Sequence, residues 1–139
     1  CIVLRRALHA CKARTRAWIG PTCASAATAI ALACDEWEVD DMSAFMVHTG
    51  SFSTGHDKAR EVHTAVAHNV RMIERFIRSV YRGFLTEDEI ERALDGRDLY
   101  FDGEELAQRL ESYADQRRAD AEAAYAGMQE VVDGPAEQD

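Results

Sequence analysis

The feature that most constrains this chain is a stripe of apolar residues through its middle. Ala59, Val62, Val66, Val70, Ile73, Ile77, Val80 and Phe84 follow one another at spacings of three and four. At 3.6 residues per turn those positions share one face of a helix. The spacing predicts a single long amphipathic helix from His56 to Arg82, with Asp57 in its first turn and Gly83 at its end. Read from the stripe alone, this is the largest core helix of the domain.

Shorter elements surround it. Ile2, Val3, Leu4, Ala7, Leu8, Ala10 and Cys11 give a short amphipathic helix. Thr15 to Ile19 reads as a strand that stops at Gly20-Pro21. Ser25 to Cys34 is rich in alanine, the best helix former, and its small side chains suit close packing on a sheet. Trp37 to Val39 is a short strand, and the apolar run Ala44 to Val47 suits a buried one. Thr86-Glu87-Asp88-Glu89 is a capping-box sequence opening another helix, closed by Leu94-Asp95-Gly96. Asp102-Gly103-Glu104-Glu105 opens a last helix to about Met128, before an acidic tail at 129–139 expected to be disordered. Strands alternating with helices predict an α/β class, in one domain over 1–128.

The 139 residues suffice for one domain with a real core. A formal net charge of -9 argues against nucleic acid or an anionic membrane as partner, since both reward clustered Lys and Arg. The basic residues Arg5, Arg6, Lys12, Arg14 and Arg16 read as solvated helix and strand edges. Cys1, Cys11, Cys23 and Cys34 form no CxxC pair, so they are expected as buried free thiols in a reducing compartment and not as zinc ligands. No cofactor or metal site is expected. No apolar run is long enough to span a bilayer, and the expected location is the cytoplasm.

Three residues carry chemistry. Ser25 lies in the small-residue turn Gly20-Pro21-Thr22-Cys23-Ala24-Ser25-Ala26-Ala27. His48 ends the apolar strand in Phe45-Met46-Val47-His48-Thr49-Gly50. Asp98 lies in Gly96-Arg97-Asp98-Leu99-Tyr100-Phe101, with Asp95 as a rival. A serine becomes a nucleophile when a base takes its proton and a third group orients that base. Each residue also has a plainer role: Ser25 as a helix N-cap, His48 as a hydrogen-bonded strand end, Asp98 as a turn residue. The other histidines, His9, His56, His63 and His68, read as structural or surface residues.

These segments together resemble the proteolytic subunit of the Clp protease and its phage-encoded relatives. In that family a nucleophilic serine opens a helix after a strand, as in Cys23-Ala24-Ser25-Ala26-Ala27. The base ends a short apolar strand, as His48 does. A glycine-bearing loop and a long handle helix follow, here Gly50 through Arg82, with Arg60-Glu61-Val62-His63 within it. The acidic member follows an Ile-Glu-Arg helix, here Ile90-Glu91-Arg92, and precedes Leu99-Tyr100-Phe101-Asp102-Gly103-Glu104-Glu105. The likeness runs from Cys1 to Leu110.

The resemblance implies the Clp protease/crotonase-like superhelical fold lacking its N-terminal units, with a handle helix and a C-terminal helix. It implies a serine endopeptidase in an oligomeric ring, acting on peptide or protein substrates, with an ATP-dependent unfoldase as partner. Ser25 would attack, His48 would move the proton, Asp98 would orient His48, and the Ala26 N–H would serve the oxyanion hole. The chain departs from the family in three ways. No segment of the sequence from Cys1 on matches the family's upstream glycine-rich turn, the sequence after Leu106 continues as a polar helix, and Asp95 competes with Asp98. Three alternatives follow: a catalytically impaired assembly subunit, a phage capsid-maturation protease, and a crotonase-type acyl-CoA enzyme.

Overall fold

The computed structural model describes residues 1–51, 53 and 58–132. Its order is α1 (Ile2–Ala10), β1 (Arg16–Ile19), β2 (Thr22–Ala24), α2 (Ala26–Ala31), β3 (Glu36–Val39) and β4 (Ala44–Val47). Then come α3 (Ala59–Val80), α4 (Glu87–Leu94), β5 (Leu99–Asp102) and α5 (Gly103–Val132). The described residues form a mixed α/β fold with two small sheets.

Two parallel pairs follow one another along the same two stretches of chain. β1 pairs with β3, Arg16 opposite Glu36, and β2 pairs with β4, Thr22 opposite Ala44. Gly20-Pro21 breaks the first stretch and residues 40–43 break the second. Buried Ser43 joins the two breaks, its Oγ 2.8 Å from the Ile19 carbonyl oxygen and 3.0 Å from that of Gly20. Gly20 has no room for a side chain, because a Cβ there would lie 2.7 Å from the Trp18 ring. β5 then adds antiparallel to β4, giving the sheet order β2-β4-β5.

Neither β2 nor β5 was expected as a strand. β2 is three residues long, too short for any period to show. β5 alternates buried Leu99 and Phe101 with exposed Tyr100 and Asp102, a period of two hidden inside what reads as a helix start. α2 stops at Ala31, short of the expected Cys34.

The core gathers around an aromatic cluster. The Phe84 ring lies 5.4 Å from that of Phe45, 5.7 Å from Phe101 and 6.1 Å from Tyr113, in tilted and edge-on geometries that aromatic quadrupoles favour. Leu106, Leu110 and Tyr113 seal it from α5, and Ile90 and Ala93 from α4. The expected capping box is present: Glu89 N–H donates to Thr86 Oγ1, and Thr86 N–H donates to Glu89 Oε2. α5 begins where it must have glycine, since a Cβ on Gly103 would lie 2.6 Å from the Asp40 carbonyl oxygen.

The long helix is not the core helix that its stripe suggests. Among the described residues of α3 only Ile77 and Val80 are buried, with Phe84 beyond it, while Val70 is 52% exposed. The expected helix start at His56 and Asp57 lies outside the described residues. At the other end α5 runs on to Val132, past the expected Met128, so residues 129–132 of the tail expected at 129–139 are helical, and 133–139 lie outside the described residues. Cys23 and Cys34 are buried, but Cys1 and Cys11 are exposed, contrary to expectation. Among the described residues no helix is long and apolar enough to cross a membrane.

Candidate active site

Sheet register brings the three chemical candidates to one edge. β2 and β4 are parallel, with Ala24 opposite Met46, and the Ser25 N–H continues the ladder by donating to the Met46 carbonyl at 2.9 Å. β4 and β5 are antiparallel and end with Val47 opposite Leu99. His48 follows Val47 and Asp98 precedes Leu99, so the two lie one step beyond the last pair. The order across this edge is Ser25, His48, Asp98, with the histidine just past the central strand β4. Asp95 instead ends α4 as its C-cap residue.

Ser25 has the one strained backbone of the site. Its φ of 58° and ψ of -126° make it the single non-glycine residue with positive φ among the described residues. An L-residue with a Cβ avoids that region, and such outliers gather where a turn must present a side chain. The strand thus turns sharply into α2 at Ser25, leaving its side chain exposed. Ser25 holds the N-cap position of α2, and its hydroxyl makes no capping hydrogen bond there. α2 is only six residues long, so its dipole adds little, and what the turn offers is the backbone N–H of Ala26.

Ser25, Ala26 and His48 line a cavity of about 450 Å³. The rest of its wall is largely apolar, with Met72, Ile73 and Phe76 of α3 and Tyr81 just beyond it. Asp98 is exposed and does not line the cavity. Among the described residues no side-chain hydrogen bond joins Ser25, His48 and Asp98. Two residues before Ser25, the Cys23 thiol is buried and burial pushes its pKa up, so it is no rival nucleophile.

The sequence reading missed the cavity wall and the residues behind the serine turn. Ile73 belongs to the apolar stripe, Phe76 lies three residues after it, and the available signal was that Met72 and Phe76 are four apart. Thr28 and Tyr81, 53 positions apart, meet at 2.7 Å between Oγ1 and the phenol oxygen, and nothing in the sequence links them. His63 and His68 are exposed on α3, and His56 lies outside the described residues. Among the described residues no cluster of three or more His, Cys, Asp or Glu could hold a metal ion. No protein-family model matches the chain, and no curated protein matches it in sequence.

Proposed function

We propose that this chain is a serine endopeptidase of the Clp proteolytic-subunit type. One observation carries the reading. A serine held in a strained strand-to-helix turn, a histidine one residue past the central strand β4 and an aspartate one residue before β5 lie at the same end of the sheet.

In the proposed reaction Ser25 Oγ attacks the peptide carbonyl carbon while His48 accepts the hydroxyl proton. The carbonyl oxygen becomes an oxyanion facing the Ala26 N–H. The intermediate collapses, the C–N bond breaks, and His48 returns the proton to the leaving amine. Water then repeats the sequence on the acyl-serine and releases the acid. Asp98 holds the imidazole in the tautomer that can accept from Ser25. The apolar cavity wall would receive a substrate side chain. The proposed assembly is a homo-oligomeric ring, supported by the exposed Val70 and Met72 of α3, and the proposed partner is an ATP-dependent unfoldase. The proposed setting is the cytoplasm, where four free cysteines stay reduced.

A second reading, an assembly subunit with impaired catalysis, draws on the lack of a side-chain hydrogen bond among the three residues. Turnover of an unfolded protein substrate separates the two. The protease reading expects cleavage products that vanish in Ser25→Ala and His48→Ala chains of unchanged oligomeric state. Equal, background-level turnover by all three chains would leave the assembly reading standing.

A further inference from the structure

The serine turn is held from behind by a two-hydroxyl relay. Thr28 is fully buried, and its Oγ1 lies 2.6 Å from the Ser25 carbonyl oxygen. A carbonyl only accepts, so the Thr28 proton points at Ser25. The same Oγ1 lies 2.7 Å from the Tyr81 phenol oxygen, so Tyr81 must donate to Thr28. The Thr28 N–H also donates to the Ser25 carbonyl, at 3.1 Å. Two donors from one residue therefore fix the plane of the Ser25–Ala26 peptide.

That plane decides where the Ala26 N–H points. In a trans peptide C=O and N–H are antiparallel, and among the described residues none is cis. With the Ser25 carbonyl turned inward onto Thr28, the Ala26 N–H faces the other way, on the side where Ser25 and Ala26 line the cavity. Flipping this peptide would carry the Ser25 ψ from -126° to about +50°, into the left-handed region that residues with a Cβ tolerate better. The opposite orientation would relax Ser25 only at the expense of Ala26, the first residue of α2, whose φ would turn by a similar amount out of the helical region. The flip would also turn a carbonyl toward the developing oxyanion.

We propose that Thr28, backed by Tyr81, is the positioning residue that holds the Ser25–Ala26 peptide in its strained orientation, so that the Ala26 N–H is ready for the oxyanion. The inference rests on the reading of Ser25 as nucleophile. Fluorophosphonate labelling of the wild-type chain tests that reading separately: without labelling, the nucleophile reading fails and this inference falls with it.

In a chain that labels, the test compares Thr28→Val with the conservative Thr28→Ser. Both are assayed for peptide turnover and for binding of a peptide boronate, a tetrahedral mimic that needs the oxyanion donor. Removing an oxyanion donor outright costs roughly 10²- to 10³-fold in turnover, and misorienting it part of the time costs less. The expected result for Thr28→Val is a kcat lower by about 10- to 100-fold, boronate binding weakened by a similar factor and KM nearly unchanged. Thr28→Ser restores both. Wild-type kcat and boronate affinity in Thr28→Val would overturn the proposal, as would a Thr28→Ser chain as impaired as Thr28→Val. If Thr28→Val does not fold, amide exchange on the wild-type chain decides. The Ala26 N–H should become protected when the boronate binds, and an Ala26 amide that exchanges equally fast with and without it would overturn the proposal.

Discussion

His48 and Asp98 each lie one residue beyond Val47 and Leu99, the last pair of the antiparallel β4–β5 ladder. Asp95 has no such relation to β4. If Asp98 orients His48, replacing it leaves the imidazole in the wrong tautomer for much of the time. Asp98→Asn should lower kcat by roughly 10²- to 10⁴-fold, and Asp95→Asn should change it by less than about threefold. Steady-state peptide hydrolysis by the two variants checks the assignment, and the reverse ranking would transfer the role to Asp95.

The start of α5 is packed against backbone. A Cβ on Gly103 would come within 2.6 Å of the Asp40 carbonyl oxygen and 2.7 Å of that of Asp41, and neither is a flexible side-chain end. Gly103→Ala should therefore destabilise the fold by about 1–3 kcal/mol, as overpacking does elsewhere. Urea unfolding measures it directly. An unchanged midpoint would mean that the link between β3 and β4 moves freely.

The acid stability of the chain should depend on Glu89. Burial alone would raise its pKa. The hydrogen bond from Arg109 and those from Thr86 outweigh that and hold it below the ordinary value near 4.5. Arg109 Nη2 lies 2.6 Å from Glu89 Oε1, in a pair that is largely shielded from solvent. A depressed folded-state pKa gives stability that is fully present above about 4.5 and is lost as pH falls through the folded value. Glu89→Gln should therefore lower Tm at pH 7 and narrow its gap to wild type as pH falls below about 4.5. A gap that is constant with pH would contradict this.

The exposed part of α3 gives a prediction about assembly. Val70 is 52% exposed and Met72 45% exposed on a helix whose stripe continues into the core at Ile77. Val70→Asp should cost the isolated chain less than about 0.5 kcal/mol, as surface changes usually do, while shifting any ring toward smaller species. Sedimentation velocity on the two chains checks it. An unchanged distribution would exclude this face from the interface.

What the sequence made legible divides along physical lines. The capping box of Thr86 and Glu89, the strand at Ala44 to Val47 and the long helix are local patterns, carried by propensity and period. β5 was not legible because Leu99 to Asp102 spans two alternations at most, directly before the Asp-Gly-Glu-Glu helix start. Ser25, His48 and Asp98 could be singled out by residue type and order, but their common edge is a matter of register between strands far apart in sequence. The stripe of α3 gave the helix but left its surroundings open, since it fits a core helix and a helix between subunits equally. Spacing reports which residues share a face, not whether the chain itself covers that face. The Thr28–Tyr81 contact joins two buried hydroxyls across 53 positions, a pairing that only the folded core creates.

The most direct measurement is fluorophosphonate labelling read by intact mass, on the wild-type chain, Ser25→Ala and His48→Ala. A single adduct on the wild-type chain, absent from Ser25→Ala and slowed by at least about 10²-fold in His48→Ala, is the predicted result. A folded wild-type chain that takes no adduct, or one whose adduct persists in Ser25→Ala, would contradict the assignment of Ser25 as an activated nucleophile.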